Sequence, residues 1–291
     1  MGLRLKFNLV MIGAFLVGLA LAAFFAKNIA EETARRQVLH EANLLMRQAT
    51  AVRGYTAGEV APLLNEQSQI RFLPHTVPSY SAQTVFRAVQ RDFPDYAYKE
   101  AALNPTNPSD RATDWEADII GVFRRDAALA QHVGERETPV GPVLTFARPF
   151  RITDRGCLTC HSTPAAAPAS MIDLYGPNNG FNWQMGEVIG AQIVSVPMRV
   201  ALERANSTLT AFLTSLGAVF LAMLLLLNLL LHVFIIRPVQ RMTGMAERVA
   251  AGESDVPEYQ VGGRDEIASL ARSFNLMRRS LSNAMRMLDE A

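Results

Sequence analysis

Two long apolar runs stand out against an otherwise mixed pattern along the 291 residues. The first, residues 7–26 (FNLVMIGAFLVGLALAAFFA), is about one bilayer thickness when coiled as a helix. The second, residues 211–236 (AFLTSLGAVFLAMLLLLNLLLHVFII), is longer, and neither contains an acid, a lysine or an arginine. Both predict membrane-spanning helices. They divide the chain into residues 1–6, a span at 7–26, a large segment at 27–210, a span at 211–236 and a tail at 237–291. Arg4 and Lys6 flank one outer end and Arg237 and Arg241 the other, which places both ends in the cytoplasm and 27–210 outside. A cleaved signal peptide shares the basic start and the small residues near the end of the first run. The length of that run, and the helical pattern that follows it, favour an uncleaved anchor.

Between the spans the periodicity changes. Val38, Ala42, Leu45, Ala49 and Val52 recur at spacings of four and three, a seam that fits packing on the same domain or pairing with a second subunit. Gly54, Gly58 and Pro62 loosen or end that helix. Further helices are predicted at 81–91 and 114–128, with a turn-rich connection at 104–110 (NPTNPSD). Residues 143–150 (VLTFARPF) and 188–197 (VIGAQIVSVP) have the β-branched and aromatic content of strands. The segment therefore reads as an α+β domain whose last strand leads toward the second span.

The tail shows a third pattern. Val239, Met242, Ala246 and Val249 form one seam, which Gly252 ends. After a polar connector (ESDVPEYQVGGR), Asp265 and Glu266 open a helix with the seam Ile267, Leu270, Phe274, Met277, Leu281, Ala284 and Leu288. Two short helices cannot bury both seams alone, so a homodimer closing a four-helix bundle is expected.

Charge and cysteines refine this picture. The net charge of +1 excludes nucleic acid as the main partner. The two cysteines both fall in Cys157-Leu-Thr-Cys160-His161. Two thiols at this spacing can each add to a porphyrin vinyl group, and the next residue offers imidazole to the iron. One motif implies one covalently bound haem c, held by Cys157 and Cys160 with His161 as axial ligand. A disulfide would close a very small loop. A thioredoxin-type pair would need a βαβ setting, and a zinc site would need further ligands close by. Bacterial haem attachment to this motif takes place outside the cytoplasmic membrane, in agreement with the charge pattern. The far iron position stays open: His40, His75, His132, Met46, Met171 and Met185 are candidates, Met46 and His75 foremost, as is an open or water-filled site. No third cysteine exists to supply a thiolate. Arg53, Arg111, Arg148 and Arg151 could meet propionates, and Trp115, Tyr175, Phe181 and Trp183 could wall a porphyrin.

Two resemblances follow from short strings. Pro238, Gly252-Glu253, Asp265-Glu266 and the phrase 270–277 (LARSFNLM) resemble the HAMP domain of bacterial receptors, over roughly 230–289. That resemblance implies a parallel four-helix bundle in the dimer, relaying motion of the membrane helix. The strings VRGYT (52–56), FPDYAYK (93–99), NPTNP (104–108), WEAD (115–118), ARPF (147–150), CLTCH (157–161) and GEVIGAQ (186–192) are similar to the Tll0287-like haem domain, over roughly 35–200. This implies a PAS-like sheet with flanking helices and a sensory role, with haem on Cys157, Cys160 and His161. The chain then reads as an inner-membrane haem-based redox or gas sensor and not an enzyme. Because it stops at Ala291, shortly after the second HAMP helix, a separate cytoplasmic protein takes the signal or the chain is a truncated receptor. A membrane-anchored electron-transfer cytochrome is the alternative, and it leaves the HAMP segment without a role.

Overall fold

The computed structural model describes residues 2–139, 141–253, 256–260 and 262–289, with all their side chains but those of Leu3, Arg286, Leu288 and Asp289. They form two units, Phe25–Leu209 and the chain ends Met1–Phe24 with Thr210–Ala291. Helix α1 (Leu3–Tyr55) is continuous from one to the other.

The Phe25–Leu209 unit is α+β. Its sheet contains β1 (Ala97–Ala102), β2 (His132–Thr138), β3 (Gly141–Arg151) and β4 (Val188–Pro197), antiparallel throughout in the order β1-β4-β3-β2. Both strands expected from the sequence are present. The two edge strands, β1 (AYKEAA) and β2 (HVGERET), escaped the sequence reading because charge interrupts their apolar content. Edge strands tolerate such charge, since one flank stays open. Gly190 sits where β4 crosses closest to β1: a Cβ there would lie 2.2 Å from the Ala101 carbonyl.

Both faces of the sheet are covered. On one, Val38, Ala42, Met46 and Ala49 of α1 pack with Phe86, Tyr98, Leu144, Phe146, Val194 and Val196. The helix seam is thus spent on its own domain. It centres on Met46, which is fully buried, and leaves Leu45 and Val52 at the margin. Burying a side chain such as Met46 contributes about 2 kcal/mol. The other face carries α4 (Asp114–Arg125), with Ile119, Ile120 and Phe123 against Ala147, Ala191 and Ile193. A capping box of Thr113 and Glu116 starts α4. It stops short of the predicted residue 128 because Asp126 turns back to accept from the Ala128 amide at 3.0 Å.

The Gly54–Pro62 stretch loosens the helix and does not end it. The chain widens into a π turn at Thr56–Val60 and resumes as α2 (Ala61–Ile70). The Ala61 N–H bonds the Thr56 carbonyl five residues back, and Pro62, which has no N–H to offer, sits in the first turn of α2 without ending the coil. Helix α3 (Pro78–Asp92) then begins on a proline, a residue suited to the first helical turn.

In the other unit, α1 and α7 (Arg199–Leu230) each contain a stretch long and apolar enough to cross a membrane, and neither stretch is buried in protein. A soluble core helix of that composition would be covered; these fit a membrane protein. Helix α7 runs through a π turn (Leu231–Ile236) into α8 (Arg237–Ala250). Gly252, at φ +89°, ends α8, and Asp265 accepts from the Ala268 amide to start α9 (Glu266–Asp289). Asn275 holds the connector by both amide atoms, accepting from the Tyr259 N–H at 3.0 Å and donating to its carbonyl at 2.9 Å. Within the chain, Ala268, Ala271, Phe274 and Asn275 are buried, whereas Leu270, Met277 and Leu281 of the predicted seam remain exposed. The side chain of Leu288, and Ser254, Asp255 and Val261 of the connector, lie outside the described residues.

Candidate haem site

Strands β3 and β4 are hydrogen-bonded neighbours, yet residues 152–187 separate them in the chain. The base of this excursion is closed by two backbone bonds, Ile152 N–H to the Glu187 carbonyl at 2.9 Å and Gly186 N–H to the Ile152 carbonyl at 2.8 Å. The excursion carries α5 (Gly156–His161) and α6 (Ala169–Tyr175). Asp154 starts α5 by accepting from the Gly156 amide at 2.8 Å. On a helix, positions three and four apart share a face. Cys157, Cys160 and His161 are therefore presented together. Both thiols are free and half-buried.

His161 is anchored on one nitrogen. Its Nδ1 lies 2.7 Å from the Gly180 carbonyl oxygen and 3.4 Å from Thr106 Oγ1. A carbonyl only accepts, so Nδ1 bears the hydrogen and Nε2 keeps its lone pair. The ring also stacks on Trp183, centroids 3.8 Å apart at 16°. Backbone bonds from Trp183 N–H to the His161 carbonyl and from Asn182 N–H to the Ser162 carbonyl lock the two segments together. Burial pushes the imidazole below its ordinary pKa, against the Gly180 bond, which raises it. Burial pushes both thiols up. Asp154 adds to this at Cys157, where Arg53 opposes it, and Cys157 adds to it at Cys160.

The folded site thus favours neutral imidazole, with a sign that can be checked. Between the lowered folded value and about 6.5, the unfolded chain binds a proton that the folded chain refuses. Without haem, stability should be full above that range and fall as pH drops through it. Thermal melts followed by the fluorescence of Trp115 and Trp183 would show this, and His161→Gln should remove that slope.

Gly180 is the second fixed point. It has φ +79°, and a Cβ would stand 1.9 Å from Thr106 Oγ1 and 2.8 Å from the Thr106 nitrogen. The NPTNP turn is therefore pressed against the carbonyl that holds His161. Gly180→Ala should cost roughly 2–4 kcal/mol through left-handed strain and overpacking. The same melts would measure it.

A buried polar chain approaches from the α1 side. Arg53 pairs with Glu100, whose other oxygen accepts from Tyr98 Oη at 2.7 Å. Gln192 Nε2 donates to Tyr98 Oη at 3.2 Å. Burial, then the negative charge of Glu100, pushes the Tyr98 hydroxyl far up. The Arg53 guanidinium lies 4.7 Å from the centre of the Phe150 ring. The other arginines flagged in the sequence are placed differently. Arg148 reaches Asn43 at 3.4 Å, Arg151 donates to the Gly186 and Ala127 carbonyls, and Arg111 is exposed.

The candidates for the far side of the iron are scattered. Met46 is enclosed in the apolar cluster under α1, and Met171 is buried on α6. His75 sits in a short turn with its ring edge-on to Tyr80, His132 lies on edge strand β2, and His40 and Met185 are exposed. Of the aromatics, Trp183 joins the site, Tyr175 packs edge-on against Phe72, Phe181 is buried, and Trp115 lies under Arg136 beside the α4 core. The structural partners of the motif, Thr106, Gly180 and Trp183, were not legible as such. The traces in the sequence were the turn string 104–108 and Trp183 as a candidate porphyrin wall.

This donor set fits haem c: two free, half-buried thiols and one neutral imidazole with a free nitrogen on a single helical face. The Tll0287-like family (Tll0287) matches residues 31–197, and the HAMP domain matches residues 230–283. Among solved structures, the cyanobacterial haem protein Tll0287 is similar at 15% identity and a TM-score of 0.43, over 55% of this chain and 94% of that one. No curated protein matches.

Proposed function

Because the chain belongs to the Tll0287-like family and carries a HAMP domain, we propose that it is a haem-based sensor that signals across the bacterial inner membrane. The observation that carries this reading is His161, its Nδ1 committed to Gly180 and its Nε2 free, one residue beyond the second of two free thiols. Cys157 and Cys160 would hold the haem through thioethers, and the His161 imidazole would ligate its iron. Once bound, the haem supplies an iron centre that changes charge or takes up a small ligand. The residues do the rest. Gly180, Thr106 and Trp183 hold the imidazole in one orientation, and Arg53 places positive charge near Cys157.

The haem domain, PAS-like in this reading, lies outside the membrane and the HAMP helices lie in the cytoplasm. The exposed Leu270, Met277 and Leu281 close a parallel four-helix bundle with a second copy, and a cytoplasmic partner reads its packing. The domain works by reporting the state of its iron, without turnover of a substrate. Displacement of the haem excursion reaches β4 through its base at Ile152 and Glu187, and β4 leads directly to α7. An electron carrier would leave that connection, and the HAMP domain, with nothing to do.

The test is optical and resonance spectroscopy of the purified chain, produced with cytochrome c maturation, in both iron states and with CO or NO. Covalent haem that responds to reduction or to added gas supports a sensor. A chain without haem refutes it.

A further inference from the structure

Each membrane helix carries one amide side chain within its apolar run, Asn8 on α1 and Asn228 on α7. The two are bonded to each other in both directions. Asn8 Nδ2 donates to Asn228 Oδ1 at 3.1 Å, and Asn228 Nδ2 donates to Asn8 Oδ1 at 2.7 Å. Asn228 Nδ2 also reaches the Leu224 carbonyl at 2.9 Å. In hydrocarbon an amide without a partner is strongly disfavoured, so this exchange satisfies both side chains at once.

Contacts on either side fix the register. About one turn toward the chain ends, Arg4 meets Nδ1 of His232. About two turns the other way, Phe15 stacks on Phe220, centroids 3.7 Å apart at 9°. From Arg4 to Phe15 the partner falls from His232 to Phe220 nearly residue for residue, as in-register antiparallel helices require. Beyond His232 the π turn Leu231–Ile236 and Pro238 break the regular coil before α8. Such places are where helices bend.

Sliding α7 along α1 by even one residue, about 1.5 Å, would strain both amide bonds, whereas tilting about them strains neither. We propose that Asn8 and Asn228 form a pivot that holds α7 at a fixed height on α1 of the same chain, so that a signal reaches α8 as a tilt about this point and not as a slide. That this motion carries a signal rests on the function proposed above. The pivot itself does not need haem.

The experiment uses the full chain in membranes, with cysteines introduced in pairs and joined by a short bismaleimide, which leaves the iron's oxidation state alone. Phe15→Cys with Phe220→Cys reports the register seen in the structure. Phe15→Cys with Leu224→Cys reports a helix slipped by one turn. The in-register pair should link within single chains, at monomer mass on a denaturing gel, in both iron states. The slipped pair should link weakly until Asn8→Val and Asn228→Val are added, and then rise relative to the first by roughly threefold to tenfold, the effect of losing an interhelical polar contact in a membrane. Because the ratio is read only in chains that are linked, poor yield of a variant does not mimic the result. Three outcomes would overturn the pivot: links mainly at twice the monomer mass, a slipped pair that gains on reduction with both asparagines present, or a ratio indifferent to valine. Chains that lack haem but keep the in-register link would refute the sensor and leave the pivot standing.

Discussion

Changing Cys157 and Cys160 together to serine leaves a chain without covalent haem, and this is the largest functional effect expected of any substitution here. Serine keeps the size and polarity of the two half-buried positions, so the fold of α5 should persist. Its hydroxyl is far less nucleophilic than a thiol and forms no thioether. In-gel detection of haem after denaturation, on membranes from a strain competent for cytochrome c maturation, should show a band for the parent chain and none for the double variant. Either single variant should keep one bond and a weaker band. Haem that survives denaturation in the double variant would contradict the assignment of both thiols. His161→Ala asks a different question, because it spares the thiols and removes the nitrogen that Gly180 orients.

The second large effect concerns stability. Glu100 is 3% exposed, and Arg53 is its one cationic partner on α1. Arg53→Ala strands a carboxylate in the core, which typically costs about 3–5 kcal/mol. The Tyr98 hydroxyl continues to donate to Glu100, so the lower part of that range is expected. Adding Glu100→Gln should restore much of the loss, since a neutral amide removes the uncompensated charge and still accepts from Tyr98. The comparison is a double-mutant cycle, read from thermal midpoints of the chain in detergent. If the double variant were as unstable as Arg53→Ala alone, the ion pair would not be the cause.

What could be read from the sequence follows from how local each signal is. Membrane runs, heptads and the C-x-x-C-H string are contained in a few consecutive turns, and each was legible. Strands β3 and β4 were found from their β-branched and aromatic content, and α3 and α4 as helices near their observed positions. Edge strands β1 and β2 were lost to their charged residues, and of the two readings of Gly54, Gly58 and Pro62, a loosened or an ended helix, the π turn at Thr56–Val60 is the first. The Cys157, Cys160 and His161 motif was legible, whereas Thr106 and Gly180, which hold the His161 ring, were not. Thr106 lies 55 positions before His161 in the chain, and Gly180 lies 19 after it. Only the close approach of two turns at the same end of the sheet brings them together. Arg53 was flagged as a propionate partner, while its pairing with Glu100 depends on α1 lying across β1, which no periodicity reveals.

The closure at Ile152 has a consequence for the order of assembly. Since two backbone bonds pin the feet of residues 152–187 beside paired strands, this segment can open as a unit while the four-stranded sheet stays zipped. In the haem attachment proposed above a porphyrin edge would have to reach two half-buried thiols, and such an opening admits it without global unfolding. Amide protons of α5 and α6 should therefore exchange with solvent well before those of β3 and β4 in the haem-free chain, and become as slow as the strands once the tetrapyrrole is sewn in. Attachment would then be the last fold-completing event, a covalent stitch across a flap that the sheet holds ready.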